Sequence, residues 1–254
     1  MNILITGGNG YIAQSLYNNF KNKYHLTTIT RKNFDLSSYN ATCEWFNERQ
    51  FDVVLHTAIA GGSRLQQDDS VVLQQNLAMY NNLLVNKHYF KKLISFGSGA
   101  EMFMRDTPYG ASKNKIAESI RNTENFYNLR IFNAFDENEL PTRFIKANIL
   151  RYIKKEPIIL HTNKIMDFIY IPDLISTVEY YMTNTDLAKD INCCYEEKYT
   201  LKTIANMINS LDTHKVPIIT EKKTQLEFYC GDSGLPQIDI IGLQQGIYNT
   251  FRSL

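Results

Sequence analysis

Apolar residues first gather in the short run Ile3-Leu4-Ile5, which is followed by glycines and then by a helical pattern. Ala13, Leu16 and Phe20, with Ile12 and Tyr17 beside them, recur at the spacing of a helix face. A second strand is predicted over Leu26–Thr30 and a helix near Tyr39–Arg49. Val53-Val54-Leu55, inside Asp52–His56, has the unbroken apolar character of a strand buried on both faces. Ser70–Lys87 reads as a helix and Lys92–Phe96 as a strand. Pro108 opens a helix reaching about Asn122, since proline is tolerated in a first helical turn. Leu129–Phe132 reads as a further strand. Strands alternating with helices predict parallel βαβ units with helices on both faces of one sheet.

After residue 135 the pattern changes. Thr142–Lys154 reads as a helix, and Pro157–His161 and Phe168–Ile171 read as strands. Asp173 is expected to cap a helix running to Thr183, and Thr200 to cap Leu201–Leu211. The expected fold class is α/β: a doubly wound parallel sheet with a small C-terminal substrate-binding lobe. Residues 1–135 are expected to form the dinucleotide-binding domain, with a segment returning near 165–190. Residues 136–254 are expected to supply most of the discontinuous lobe.

Composition narrows the function classes. With 254 residues, 44% hydrophobic and 21% charged, the chain can bury a full core. Lys plus Arg (27) nearly balance Asp plus Glu (26), so no charge excess points to nucleic acid. No apolar run has membrane-spanning length, and the N-terminus lacks a signal-peptide pattern. The four cysteines show no Cys-x-x-Cys spacing and read as reduced thiols of a cytoplasmic protein. The five histidines lack metal-ligand spacing, so no metal is expected. The 12 glycines are uneven: eight precede residue 111, at 7, 8, 10, 61, 62, 97, 99 and 110, and none lies between 111 and 230. That clustering predicts ligand contacts in the first half, just after strands.

Thr6-Gly7-Gly8-Asn9-Gly10-Tyr11-Ile12-Ala13 has Gly-x-x-Gly-x-x-Ala spacing between a strand and a helix. This pattern offers a tight turn, room for a pyrophosphate and free N–H groups at a helix start. Gly7, Gly10, Tyr11 and Ile12 are therefore expected at a dinucleotide. The second strand ends in Thr30-Arg31-Lys32, with no acid before Asp35. Two adjacent cations suit a 2′-phosphate, which favours NADP(H) over NAD.

Ser98 follows an apolar strand, and Tyr109-Gly110-Ala111-Ser112-Lys113 follows it. Tyr109 and Lys113, at i and i+4, share a helix face. A nearby ammonium favours phenolate over phenol, which fits Tyr109 as a proton shuttle to a carbonyl oxygen. Ser98 would hydrogen-bond the same oxygen. Tyr17 and Lys21 match the same spacing without a strand-end serine before them.

Together these motifs resemble the extended short-chain dehydrogenase/reductases, of the NAD-dependent epimerase/dehydratase kind acting on nucleotide sugars. His56-Thr57-Ala58, Leu129-Arg130-Ile131-Phe132-Asn133 and Asp167-Phe168-Ile169-Tyr170-Ile171-Pro172-Asp173 carry the resemblance further. It implies a seven-stranded Rossmann sheet and a catalytic set of Ser98, Tyr109 and Lys113. It also implies a homodimer joined by a four-helix bundle, here from Ser70–Lys87 and Pro108–Asn122. Asp35-Leu36 resembles the Asp-Leu that contacts adenine, and Thr57, Ala58, Ala60 and Asn76 fall at implied cofactor positions. Ala58-Ile59-Ala60-Gly61-Gly62 resembles the Ala-x-x-Gly-Gly of the GDP-fucose synthases, which reduce 4-keto sugars with NADPH. Gly61, Gly62, Gly99, Asn133 and Arg143 are implied on the substrate side.

Three departures refine the expectation. No Asp-Glu follows Ser98, which disfavours 4,6-dehydration. Ala100 stands where the GDP-fucose synthases carry an epimerising cysteine. Met166 replaces the usual Arg of Arg-Asp-Phe, leaving Lys164, Arg143 or Lys146 to meet a diphosphate. The expected function is NADPH-dependent reduction of a 4-keto 6-deoxy nucleotide sugar. The alternatives are a 4-epimerase with tightly bound NAD and a non-catalytic NADP-binding regulator.

Overall fold

The structure, a computed structural model, describes residues 1–62, 68–222 and 224–254. The first half alternates strands and helices: β1 (Asn2–Thr6), α1 (Tyr11–Phe20), β2 (His25–Ile29), α2 (Tyr39–Phe46), β3 (Phe51–His56), α3 (Ser70–Val85), β4 (Phe90–Ser98), α4 (Ala100–Phe103), α5 (Pro108–Arg121) and β5 (Phe126–Ile131). The remainder comprises β6 (Ala134–Phe135), α6 (Phe144–Ile153), β7 (Ile158–Leu160), β8 (Ile165–Met166), β9 (Ile169–Tyr170), α7 (Ile171–Thr183), β10 (Asp190–Cys193), α8 (Leu201–Ile208), β11 (Ile218–Thr220), β12 (Phe228–Tyr229) and α9 (Leu243–Ser253).

A central parallel sheet of six strands has the order β10-β5-β4-β3-β1-β2. The resemblance implied seven; among the described residues the sheet has six. Its central strands are buried on both faces: Ile3, Leu4, Ile5, Val54, Leu55, Leu93 and Ile94 are fully enclosed. Each such side chain contributes about 1.5–3 kcal/mol relative to exposure. β1 pairs in parallel with both β2 and β3. The chain thus winds outward one way to β2 and the other way from β3. That reversal opens a crevice beyond the strand ends.

The chain divides into two compact units, 1–130 with 178–191, and 131–177 with 192–254. In the first, α1 lays Ala13, Leu16 and Phe20 on the core, the face its periodicity predicts. α3 and α5 are joined by two side-chain hydrogen bonds, Asn76 Nδ2 to Ser112 Oγ at 3.0 Å and Tyr80 hydroxyl to Ser119 Oγ at 2.9 Å.

In the second unit Thr200 caps α8 as expected, accepting from the Thr203 N–H at 3.1 Å. Asp173 does not cap its own helix, which starts two residues earlier at Ile171. Its carboxylate instead accepts the N–H groups of Ile241 at 2.7 Å and Gly242 at 3.0 Å, just ahead of α9, and the Tyr195 hydroxyl. The buried Asp173 is therefore the anion at another helix's N-terminus. Replacing Asp173 by Ala leaves three donors without their acceptor. We expect a loss of about 3 kcal/mol in urea unfolding, since single bonds to charged groups contribute roughly 1.5–3 kcal/mol. A change below about 0.5 kcal/mol would contradict this role.

Candidate functional site

The turn after β1 is fixed by backbone bonds, Gly10 N–H to Gly7 O at 2.8 Å and Gly8 N–H to Ile29 O at 2.9 Å. Gly7 takes φ +67°, and a Cβ there would meet the Ala58 backbone at 2.7 Å. Only glycine fits this left-handed, crowded position, where the loops after β1 and β3 touch. Gly10 precedes α1 with no side-chain cap, and a Cβ there would meet only Gly7 O. Tyr11 and Ile12 open α1 directly after this turn, so the glycine loop leads into a helix N-terminus, a cradle-like arrangement that fits a pyrophosphate. Thr57 Oγ1 donates to Thr6 O at 2.5 Å and the Ala58 N–H to Thr6 Oγ1 at 3.1 Å, locking the two strand ends together.

Beside this cradle lies a cavity of about 560 Å³, walled by Gly7, Arg31, Asp35, Leu36, Ala58, Ala60 and Gly61 among the residues singled out from sequence. Phe34, Val72 and Met79 add apolar wall and Gln75 an amide, and none of the four was singled out from sequence. Arg31 and Lys32 are exposed, and neither head group makes a hydrogen bond among the described residues. Asp35, also exposed, accepts from the Ser37 N–H at 2.9 Å and Ser37 Oγ at 2.7 Å, both on Oδ1. Those bonds hold its carboxyl below the usual range. Arg31 stands on the same cavity wall, and its charge also acts on the Asp35 carboxyl. Asn76 is buried behind the wall: it donates to Ala60 O at 3.0 Å and accepts the Ala60 N–H at 2.8 Å. Its amide shapes the loop and is spent on it, so any part it plays toward a cofactor runs through Ala60.

Ser98 ends β4, half-buried, and Tyr109 and Lys113 sit one turn apart on α5. Thr107 caps that helix and Pro108 occupies its first turn. Lys113 Nζ donates to Phe96 O at 2.6 Å, which carries the ammonium to the C-terminal end of β4. The Tyr109 ring lies against Gly62, where a Cβ would sit 2.8 Å from the ring edge. Strand end, glycine loop and helix thus converge, with Gly99 directly after Ser98 starting α4. Burial pushes the Lys113 ammonium down to about 8, and Glu101 pulls it back up. His56, enclosed beside this end of the sheet, is pushed down to about 3 by burial and then by the Lys113 charge. Its Nδ1 pairs with Thr6 Oγ1 at 3.0 Å.

The glycine pattern needs one correction. Gly97 lies inside β4, not after it, and a Cβ there would fall 2.3 Å from Glu101 Oε1 and 2.6 Å from Asn128 Oδ1. It makes room for a buried carboxylate rather than for a ligand. Gly110 likewise accommodates the Met104 carbonyl. The cluster of Glu101, Asn128 and Arg130 was not assembled from sequence; Arg130 stood in a quoted motif, with no sign of the carboxylate it meets.

Of the substrate-side candidates, Gly61, Gly62 and Gly99 lie in the first unit, and Asn133, Arg143, Lys146 and Lys164 in the second. Asn133 Nδ2 donates to Asp167 O at 2.9 Å. Lys146 Nζ is taken by Glu137 O at 2.6 Å and Glu139 O at 2.8 Å. Lys164 stands 3.8 Å from the Glu227 carboxylate. Arg143, half-buried at the start of α6, makes no side-chain hydrogen bond or ion pair among the described residues. A further cation, Lys198, holds Asp167 at 2.9 Å. Among the described residues there is no cluster that could hold a metal ion, and no helix is long and apolar enough to cross a membrane.

Comparisons with solved structures match this fold along 99% of the chain. One is a GDP-mannoheptose C4 reductase from Campylobacter jejuni with NADP bound, at 20% identity and TM-score 0.76, covering 97% of that chain. Another is a GDP-L-fucose synthetase from Naegleria fowleri, at 18% identity and TM-score 0.76, covering 91% of that chain. A third is a UDP-glucose 4-epimerase from Thermus thermophilus in complex with NAD, at 18% identity and TM-score 0.76, covering 98% of that chain. No curated protein matches by sequence. The family model described as the NAD dependent epimerase/dehydratase family matches residues 3–194, a span holding the glycine cradle, the cavity and the Ser98, Tyr109 and Lys113 positions. The chain belongs to the NAD-dependent epimerase/dehydratase family.

Proposed function

We propose that the protein is an NADPH-dependent reductase of a 4-keto 6-deoxy nucleotide sugar. The observation that carries this reading is Arg31 on the cavity wall, exposed and with no head-group hydrogen bond among the described residues. A fork of donors at that place suits a 2′-phosphate. Gly7, Gly10, Tyr11 and Ile12 would hold the pyrophosphate, and Leu36, Ala58 and Ala60 the adenosine. Bound NADPH supplies a hydride. Tyr109 gives its proton to the sugar carbonyl oxygen, Ser98 donates a hydrogen bond to it, and Lys113 stabilises the phenolate left on Tyr109. Arg143, half-buried and with no ion pair among the described residues, suits a diphosphate, and Asn133 is a candidate for contact with the sugar. The four-helix homodimer would use α3 and α5; α3 carries the half-buried Leu73 and the exposed Val71 and Val85.

The test is a panel of 4-keto sugars on different nucleotides, followed by NADPH absorbance. Turnover supports the reading; none across the panel, together with C4 epimerisation of a saturated nucleotide sugar and co-purified NAD, replaces it with a 4-epimerase. Arg31→Ala should weaken NADPH binding about 10- to 100-fold relative to NADH, the equivalent of one charge-assisted contact of roughly 1.5–3 kcal/mol. Fluorescence titration of both nucleotides measures it, and an unchanged ratio would remove Arg31 from the specificity argument.

A further inference from the structure

Glu101 lies three residues past Ser98 and is 1% exposed. Its Oε1 accepts the Ser98 N–H at 2.8 Å. Its Oε2 accepts from Arg130 Nε at 2.7 Å and from Asn128 Nδ2 at 3.1 Å. Every one of these partners is a donor, which is the environment of an ionised carboxylate; a protonated acid needs an acceptor. Burial pushes the Glu101 carboxyl up, while Arg130, the Ser98 N–H and Lys113 pull it down. Arg130 is braced from its other side by Asp190, at 2.7 and 2.9 Å. The space for the carboxylate comes from the missing side chain of Gly97.

A buried ion pair alone is weak evidence of function, because well-packed apolar groups often serve stability as well. Glu101 differs in what else it touches. It holds the backbone of Ser98, and its charge acts on Lys113. Among the described residues, Lys113 meets the Phe96 carbonyl from β4 and interacts by charge with Glu101 from α4 and His56 from β3, while Tyr109 stands four residues before it on the same helix. Of these, His56 is neutral and the carbonyl is a dipole. Arg130 and Asn128 from β5 face Glu101 itself, with Asp190 from β10 behind them.

We propose that Glu101 is a positioning residue that fixes the Ser98 backbone through one oxygen and keeps Lys113 cationic through its charge. One buried carboxylate then sets two members of the reaction centre at once. The inference rests on reading Ser98, Tyr109 and Lys113 as the reacting groups.

The test follows the Lys113 ionisation directly. Protein labelled with ¹³C at lysine Cε is titrated by NMR, with Lys113→Arg identifying the resonance. Glu101→Gln keeps the shape and can still accept the Ser98 N–H, but carries no charge. Its Lys113 midpoint should move to lower pH. Its kcat at pH 8 with a 4-keto nucleotide sugar should fall on the order of tenfold, with KM changed less than about twofold. Glu101→Asp keeps the charge and withdraws from Ser98, so the midpoint should stay while kcat falls. It also decides the question if the Gln variant does not fold. An unchanged Lys113 midpoint in Glu101→Gln, or full kcat in Glu101→Asp, overturns the proposal. Full turnover by Tyr109→Phe would instead remove the catalytic reading, and the Lys113 midpoint, which needs no substrate, would still decide whether Glu101 holds its charge.

Discussion

Tyr109→Phe loses about 10²- to 10⁴-fold in kcat, the range for removal of a general acid. The substitution deletes one hydroxyl and leaves the ring against Gly62, so the fold and the cavity are retained. The loss should therefore fall on kcat, while the NADPH dissociation constant stays within about twofold. Stopped-flow or steady-state absorbance of NADPH with a 4-keto nucleotide sugar measures the first, and fluorescence titration the second. Wild-type turnover in this variant would show that another group delivers the proton, and would revive the reading of the chain as a non-catalytic NADP-binding regulator.

The second large effect is on acid stability, through His56. Folding encloses this imidazole and pushes it to about 3, chiefly by burial and further by Lys113. An unfolded histidine titrates near 6.5. Below that value the unfolded chain takes up a proton that the folded chain refuses. The stability associated with neutral His56 is therefore fully present above about pH 6.5 and is lost as pH falls toward 3. Over the whole window the loss is on the order of 4–5 kcal/mol, and between pH 7 and 4.5 about 2–3 kcal/mol. Urea unfolding of the wild type and of His56→Asn at both pH values isolates the contribution. The wild type should lose about 2–3 kcal/mol more than the variant over that interval; equal losses would place the acid sensitivity elsewhere.

The dinucleotide half was legible because its signals are local. A strand, three glycines and a helix with Ala13, Leu16 and Phe20 on one face need no distant partner to be recognised. What stayed hidden depends on residues brought together from afar. β5 runs from Phe126, three residues before its expected start, and includes Asn128 and Arg130, polar residues in an otherwise apolar strand. Both are buried because Glu101 and Asp190 arrive to meet them. β10 has no local signal for the same reason, since Asp190 looks like a loop residue until Arg130 is opposite it. Asp173 carried a correct capping signal aimed at the wrong helix, because sequence spacing cannot see α9. On the substrate side the cationic candidates looked alike in sequence. Only the fold shows that Lys146 is occupied by two carbonyls while Arg143 is not.

The bonds of Asn76 to its neighbours have a mechanical meaning. Its amide clasps both backbone groups of Ala60 and the hydroxyl of Ser112, the residue beside Lys113. The wall of the cavity and the helix carrying Tyr109 and Lys113 therefore share one hinge pin. Opening the loop at Ala60 breaks bonds that also anchor α5, so the two segments open as one cooperative unit rather than separately. A cofactor that steadies the wall steadies the tyrosine helix with it, and readiness for chemistry becomes a property of the loaded cavity.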